Sequence, residues 1–244
     1  MADYKINILH LFPDLLNLYG DKGNIASLKK RLEWRGIQAN VIDCTEKNPQ
    51  IDFENSDIIF LGGGSDRETE IVSKYLMERK SDFKEYAEKE GTLLAFCSGY
   101  EMLGKRIKTL TEEKEGLGVL DIYTEIPDDN SRLIGNIVID AKSPLGMVVG
   151  FENHSGRVDI GNYAPLGKVV TGFGNDDSRM YEGLIYKNVL GTYMHGPLLP
   201  KNPILCDRIL ENALIHKYSD FKGLAPLDNT LEDKAKSYML DVLL

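Results

Sequence analysis

The stretch "GTLLAFCSGYEMLG" (residues 91–104) places a cysteine between a short apolar run and a glycine. The run Thr92–Phe96 is too short for a helix and predicts a buried strand, whereas "SGYEMLG" predicts the start of a helix after a tight turn at Gly99. Cys97 then lies where the strand turns into the helix, and a helix N-terminus favours the thiolate form of a thiol. Ligands of open α/β sheets bind at this end of the strands. The position predicts a nucleophile of the strand-turn-helix type, with a core cysteine as the alternative.

The alternation of strand and helix patterns continues on both sides of this stretch. Further short apolar runs predict strands at 4–12, 38–44 and 56–66. Amphipathic patterns predict helices within 21–36, 66–79 and 81–90. This order predicts an α/β fold with a mostly parallel central sheet and flanking helices. From Gly116 to Gly174, glycines and β-branched runs predict antiparallel hairpins added to that sheet.

The C-terminal third returns to the earlier pattern. An apolar strand in 187–199 ends at His195, and amphipathic patterns predict helices at 202–218 and 229–244. A chain of 244 residues fits one α/β domain. We therefore predict a single domain over 1–244, with a core of about 5–205 and a C-terminal helical extension of about 206–244.

Composition excludes several classes of protein. Hydrophobic residues make up 42% and charged residues 27%, which is typical of a globular protein. The net charge of −9 and the lack of a basic cluster argue against nucleic acid as a partner. No apolar run approaches the roughly 18 residues of a membrane span, and the start does not read as a signal peptide, so we expect a cytoplasmic protein. The three cysteines are widely spaced and predict neither disulfides nor a metal site.

Two further strand ends carry residues suited to chemistry. In "FLGGGSDRE", the backbone N–H groups of Gly63 and Gly64 could face a developing negative charge. A phosphate loop would need a Gly-Lys-Ser/Thr ending that is missing here, and a plain tight turn is the other alternative. In "GTYMHGP", His195 ends an apolar strand just before a glycine, as Cys97 does. Only the fold could bring these two residues together.

The polar segment "GFENHSGR" is a candidate for ligand contact. It contains Glu152, Asn153 and His154, and the alternative is a structural hairpin.

Four segments together resemble class I glutamine amidotransferase domains, and within them the cobyric-acid and cobyrinic-acid synthase-like branch. They are "GGGSDRE", "CSGYEMLG", "ENHSGR" and "GTYMHGPLLPKNP". With "LNLYGDKGNIASLKKR" and "EGLGVLDIYTE", the pattern is most similar to the small glutaminase subunits of lipid II isoglutaminyl synthases, over about residues 5–205. The resemblance implies a flavodoxin-like three-layer sandwich.

The resemblance also implies roles for particular residues. Cys97 would attack the side-chain amide of L-glutamine, and His195 would act as its base. Gly63, Gly64 and Ser98 would donate N–H groups to the oxyanion.

The ends of the glutamine substrate need partners as well. Arg132, in "NSRLIGN", is the candidate for the substrate carboxylate, because a guanidinium binds a carboxylate bidentately. An exposed arginine without this role is the alternative. Glu152, Asn153 and His154 would hold the ammonium group.

The chain contains no ATP-binding motif, so we expect no cofactor or metal in it. The resemblance implies a heterodimer with a MurT-like Mur ligase subunit, which would carry ATP and Mg and would amidate the D-glutamate of the lipid II stem peptide. One departure is Pro197, because the wider class has a glutamate two residues after its catalytic histidine. The third catalytic group therefore has no position in the sequence. A glutaminase for another acceptor (cobyric-acid-like), a cysteine hydrolase acting on peptides, and a binding module with an inert Cys97 are the alternatives.

Overall fold

A central six-stranded sheet organises the molecule. The computed structural model describes residues 4–128 and 131–244, so 1–3 and 129–130 of the predicted domain lie outside the described residues. The strands of this sheet are β1 (Lys5–Leu11), β2 (Gln38–Cys44), β3 (Ile58–Leu61), β4 (Thr92–Phe96), β13 (Leu184–Tyr186) and β14 (Val189–Thr192). Their order is β13-β14-β4-β3-β1-β2, and all neighbours are parallel except the antiparallel pair β13 and β14. The predicted mostly parallel sheet is confirmed.

Helices flank this sheet. They are α1 (Lys22–Glu33), α2 (Asp66–Met77), α3 (Lys80–Glu88), α4 (Ser98–Met102), α5 (Leu198–Lys201), α6 (Pro203–Lys217) and α7 (Thr230–Leu243). A 3-10 turn at Leu18–Gly20 precedes α1. The start of α2 is fixed by a capping box in which Ser65 and Glu68 exchange side-chain and backbone hydrogen bonds.

The apolar residues divide into two cores, one on each face of the central sheet. One core includes Leu61, Val72 and Phe83, and the other includes Phe60 and Leu94. Every residue of β3 and β4 is buried, because helices cover both faces of a parallel sheet. The continuous apolar runs in the sequence reflect this double burial.

The middle of the chain forms two further four-stranded sheets. One sheet has the order β10-β7-β5-β6, from β5 (Arg106–Lys108), β6 (Glu113–Glu115), β7 (Tyr123–Glu125) and β10 (Arg157–Asp159). The other has the order β12-β11-β8-β9, from β8 (Leu133–Asp140), β9 (Met147–His154), β11 (Gly167–Thr171) and β12 (Tyr181–Glu182).

The prediction that these hairpins join the central sheet is therefore wrong, although β13 is an added antiparallel strand. The physical reason is that β13 pairs with β14 at one edge of the central sheet, while β8, β9, β11 and β12 find their partners in one another. An isolated bridge between Phe151 and His195 connects β9 to the segment after β14.

The C-terminal helices differ in how they pack. Leu205, Ile209 and Leu210 of α6 are buried in the second core, whereas α7 has no buried residue. The predicted division into a core of about 5–205 and an extension stays a prediction. Among the described residues, no helix is long and apolar enough to cross a membrane.

Candidate active site

The ends of three parallel strands meet at one edge of the central sheet. Gly63 follows β3, Cys97 follows β4 and His195 follows β14. A Cβ atom placed on Gly63 would lie 2.8 Å from Cβ of Cys97 and 3.4 Å from Cε1 of His195. The fold therefore brings the predicted nucleophile and the predicted base together around this glycine, where a side chain would displace one of them.

Cys97 occupies a strained turn. Its backbone has φ 50° and ψ −120°, a region that non-glycine residues rarely adopt and that is found at functional sites. Its N–H donates to the carbonyl of Thr192 at 2.9 Å, and its carbonyl accepts from the N–H of Glu101 at 3.1 Å. These bonds hold the turn between strand and helix, as in a nucleophile elbow.

Gly99 allows the following helix to approach the neighbouring strand. A Cβ atom at this position would lie 2.6 Å from the carbonyl oxygen of Gly62 and 2.7 Å from that of Leu61. Backbone atoms at this distance cannot move aside, so only glycine fits here. The close approach places the N-terminus of α4 beside the glycine run.

His195 is fully buried and is paired with Asp21, which is also fully buried. Its Nδ1 lies 3.5 Å from Oδ1 of Asp21, and Oδ2 of the same carboxylate accepts the N–H of Gly63 at 3.0 Å. Burial disfavours the imidazolium, but the negative charge on Cys97 and the hydrogen bond with Asp21 outweigh it and raise the pKa of His195 to about 10. Its other ring nitrogen, Nε2, is buried and has no hydrogen-bond partner among the described residues.

Asp21 is a residue that the sequence reasoning missed. Aspartate before a helix normally caps it, but the side chain of Asp21 makes no cap hydrogen bond and turns toward His195 instead. The available signal is its place in "LNLYGDKGN", directly before α1 and on the loop that follows the first strand. The structure thus supplies a buried acid next to the histidine, at a site remote in sequence from Pro197.

The predicted oxyanion donors are not equivalent. The N–H of Gly63 donates to Asp21, and the N–H of Gly64 donates to Oγ of Ser98 at 3.0 Å. Both therefore have acceptors within the protein. The N–H of Ser98 is the first of α4 and has no acceptor within its own helix. The assignment of these donors stays a prediction.

Tyr19 lies over the histidine, and the sequence reasoning missed it too. Its backbone is left-handed, with φ 56°, and its ring centroid lies 5.1 Å from that of His195. The N–H of the preceding Leu18 donates to the carbonyl of Gly63 at 2.9 Å, which ties this loop to the glycine run. The hydroxyl of Tyr19 accepts a hydrogen bond from the amide of Asn153.

The same Asn153 holds the guanidinium of Arg132. Nε of Arg132 donates to Oδ1 of Asn153 at 2.8 Å, Nη2 donates to its carbonyl at 2.9 Å, and Nη1 donates to Oγ of Ser155 at 2.9 Å. The arginine side chain is exposed. A chain of contacts therefore leads from Arg132 through Asn153 and Tyr19 to His195.

Glu152 and His154 point away from solvent. The carboxylate of Glu152 accepts the N–H groups of Phe173 at 2.7 Å and Gly174 at 2.9 Å. The ring of His154 stacks on Tyr193 with centroids 3.5 Å apart, and burial lowers its pKa. Because side chains alternate along a strand, Asn153 faces the opposite way from both neighbours. The predicted contact of Glu152 and His154 with an ammonium group stays a prediction, since both are buried here.

Two buried carboxyl groups contact the residues just before His195. Glu101 accepts a hydrogen bond from the hydroxyl of Tyr193 at 2.8 Å, and burial raises its pKa to about 7. Glu182 accepts from the hydroxyl of Thr192 at 2.9 Å and from the N–H of Tyr193 at 2.7 Å, and burial raises its pKa to about 8. Both groups therefore stabilise the segment that leads from β14 to His195.

The sequence of residues 7–203 matches the model of the CobB/CobQ-like glutamine amidotransferase domain. The chain belongs to this family. It is a glutamine amidotransferase, and the site described above lies within the matched residues.

Two relatives of this amidotransferase align over nearly its whole length. The lipid II isoglutaminyl synthase (glutamine-hydrolyzing) subunit GatD of Staphylococcus aureus (strain N315) is 44% identical over 98% of this chain and 96% of its own. The protein of the same name from Streptococcus pneumoniae (strain ATCC BAA-255 / R6) is 37% identical over 98% of this chain and 92% of its own. A probable cobyric acid synthase of Methanosphaera stadtmanae is 33% identical over 76% of this chain but only 38% of its own.

Solved structures agree with the fold. A crystal structure of a glutamine amidotransferase superposes with a TM-score of 0.58 over 84% of this chain and 98% of the other, at 18% identity. A glutamine amidotransferase of Thermotoga maritima gives 0.53 over 97% of this chain and 92% of the other, at 15% identity. At such identities the likeness establishes the class I amidotransferase fold alone.

Proposed function

We propose that this amidotransferase is the glutaminase subunit of a lipid II isoglutaminyl synthase. The observation that carries the chemistry is a cysteine in a strained strand-to-helix turn, beside a buried histidine that is paired with a buried aspartate. The acceptor is inferred from the two relatives named GatD, which match almost the entire chain. The whole chain would act as one amidotransferase domain with its C-terminal helices.

The reaction begins with attack of the Cys97 thiolate on the side-chain amide carbon of L-glutamine. The C–N bond of the tetrahedral intermediate breaks, His195 gives its proton to the leaving nitrogen, and ammonia and a glutamyl thioester result. Water then attacks the thioester while His195 takes one of its protons. Glutamate leaves and the thiolate is restored, so that one amide bond is hydrolysed for each cycle.

The oxyanion would be held by the N–H of Ser98, together with that of Gly63 or Gly64 once it releases its present acceptor. Removing one such donor typically costs about 3–4 kcal/mol of transition-state stabilisation. The helix that starts at Ser98 adds the positive end of its peptide dipoles at the same place.

Asp21 supports the imidazolium form of His195. A carboxylate next to Nδ1 orients the ring so that Nε2 faces the reacting atoms, and it stabilises the positive charge that the ring carries. Nε2 is buried without a hydrogen-bond partner in the described part of the chain, which fits this orientation. In this proposal Asp21 takes the role of the glutamate that the wider class has at the position of Pro197.

Arg132 would bind the carboxylate of glutamine at the rim. The guanidinium is exposed and is already oriented by Asn153 and Ser155, so little conformational entropy is lost when a carboxylate binds. Glu152 and His154 would act on the ammonium end only after a rearrangement that exposes them. Asn153 can reach the rim without one.

The ammonia would pass to a MurT-like ligase subunit in a cytoplasmic heterodimer. Amide synthesis needs an activated carboxyl group, and in this proposal the ligase supplies it with ATP and Mg and amidates the D-glutamate of the lipid II stem peptide to D-isoglutamine. The names of the relatives, which describe a subunit of a synthase, support a second polypeptide.

The test is release of glutamate from L-glutamine by the wild-type chain and by its Cys97→Ala and His195→Ala variants, with and without the MurT-like subunit. We expect release by wild type and none by either variant. Transfer of nitrogen from amide-labelled glutamine to lipid II in the complex would identify the acceptor. Activity retained by Cys97→Ala would overturn the mechanism, and labelling of a corrinoid acid instead of lipid II would overturn the acceptor.

A further inference from the structure

The C-terminal helix α7 has two apolar faces, of which the protein covers one. Met239, Leu240 and Leu243 are half-buried, and the hydroxyl of Thr171 donates to the carbonyl of Leu243 at 3.4 Å. This face lies against α5, β8 and β9. The helix is therefore seated on the antiparallel sheet that also carries Asn153.

The other face forms a stripe of exposed apolar side chains. Leu231, Ala235, Tyr238 and Val242 follow a spacing of four, three and four residues, which places them on one side of a helix. Leu231 is 80% exposed, Tyr238 is 71% exposed and Val242 is 65% exposed. An apolar stripe at helical spacing is the anchor pattern of a helix that docks into a groove of another protein. We call these four residues the α7 stripe.

The relatives differ in whether they share α7. The family model ends at residue 203, so α7 lies beyond the part of the chain that the family shares. The two synthase subunits, by contrast, match 98% of this chain, which leaves at most about five residues of the chain unmatched and most of α7 within the match. The cobyric acid synthase carries its matching region within a much longer polypeptide. The helix is thus shared with relatives that are named as one subunit of a synthase.

We propose that the α7 stripe docks the acceptor ligase subunit, and this proposal rests on the proposed function. A second copy of this chain is disfavoured as the occupant, because two copies that each carry a net charge of −9 repel one another. The groove that receives the stripe is expected to be apolar with basic groups at its rim. A ligase bound there is connected through the β8–β9 sheet to Asn153 and Arg132.

The test is calorimetric titration of the purified MurT-like ligase into the wild-type chain and into a Leu231→Asp/Tyr238→Asp variant. Buried aromatic and aliphatic anchors dominate the affinity of an interface, so we expect at least about a 100-fold increase in Kd. A Tyr238→Ser variant should give a smaller increase. The matched control is Ile204→Asp/Ile215→Asp on α6, where the side chains are also exposed and no increase is expected.

Each outcome has one meaning. The proposal stands if the stripe variant loses the ligase while keeping the thermal unfolding midpoint and the glutaminase activity of the isolated wild-type chain. It is overturned, with the function intact, if wild type and stripe variant bind the ligase equally. If wild type hydrolyses glutamine but does not bind the ligase, both the docking proposal and the proposed partner fail. If sedimentation shows a wild-type dimer that the stripe variant dissociates, the occupant is a second copy and the proposal is also overturned.

Discussion

Asp21 lies 3.5 Å from Nδ1 of His195, although 174 positions separate the two residues in the chain. Both side chains are fully buried, so the charge of the carboxylate acts on the imidazole with little screening by water. The second oxygen of the carboxylate is fixed by the N–H of Gly63. One oxygen of the Asp21 carboxylate is therefore held by the glycine run, and the other faces His195, the candidate base.

Replacement of Asp21 by asparagine tests this pair. Asn can still accept from the N–H of Gly63, but it carries no charge, so the pKa of His195 falls. We expect kcat for glutamine hydrolysis to fall by about two orders of magnitude, with little change in KM. The alkaline limit of the pH profile should also move to lower pH.

Asp14→Asn is the matched control, because Asp14 lies in the same loop and is exposed. It should leave kcat and the pH profile unchanged. An Asp21→Asn enzyme with an unmoved alkaline limit would mean that the carboxylate only supports the loop.

Arg132→Lys tests whether binding of the glutamine carboxylate needs the geometry of the guanidinium or only its positive charge. Lysine keeps the positive charge but cannot form the three hydrogen bonds that hold the guanidinium on Asn153 and Ser155. We expect KM for glutamine to rise about 10-fold or more while kcat changes little. Steady-state kinetics measure this, and an unchanged KM would remove Arg132 from substrate binding.

The site residues that lie at strand ends could be predicted from the sequence, because each of them follows an apolar run. Gly63, Cys97 and His195 all come directly after such runs, and parallel strands end at one edge of the sheet. Asp21 and Tyr19 could not be placed in this way. They lie in an irregular segment between β1 and α1, whose path is set by contacts remote in sequence, such as the bond from Leu18 to Gly63.

The sheet that the strands in the middle of the chain join could not be predicted from the sequence either. Alternating residues indicate that β8 and β9 form a hairpin, but not which sheet edge is free to receive it. That depends on β13, which occupies the edge beside β14. The burial of Glu152 and His154 follows from the same placement, because one face of β9 is turned toward the interior.

Tyr19→Phe should weaken substrate binding without removing the ring from His195. The change deletes the acceptor for the amide of Asn153, which in turn orients Arg132. The loss of one such hydrogen bond is worth about 1 kcal/mol, so we expect KM for glutamine to rise about 5-fold. The control in the same kinetic assay is Tyr181→Phe. Tyr181 lies on β12, at the edge of the sheet opposite β9, which carries Asn153. Equal KM values for the two variants would show that Tyr19 acts through its ring alone.

Glu182 makes the stability of the protein depend on pH in an uncommon direction. Burial raises its pKa from 4.5 to about 8, so the folded protein keeps a proton that the unfolded chain has already lost. The unfolded state then binds fewer protons, and the free energy of unfolding falls as pH rises between these two values. Glu101, with its pKa raised to about 7, adds to the fall in the same direction.

Glu182→Gln removes this titration, because the amide keeps an oxygen for Thr192 and Tyr193 and carries no charge. We expect the variant to lose less stability than wild type between about pH 5 and about pH 8, where a single group contributes at most about 1.4 kcal/mol per pH unit. Urea unfolding at both pH values measures the difference, with Glu54→Gln, an exposed site in the loop before β3, as the control. Parallel pH dependence in wild type and Glu182→Gln would mean that Glu182 is ionised in the folded protein, so that its charge is stabilised by the hydrogen bonds from Thr192 and Tyr193.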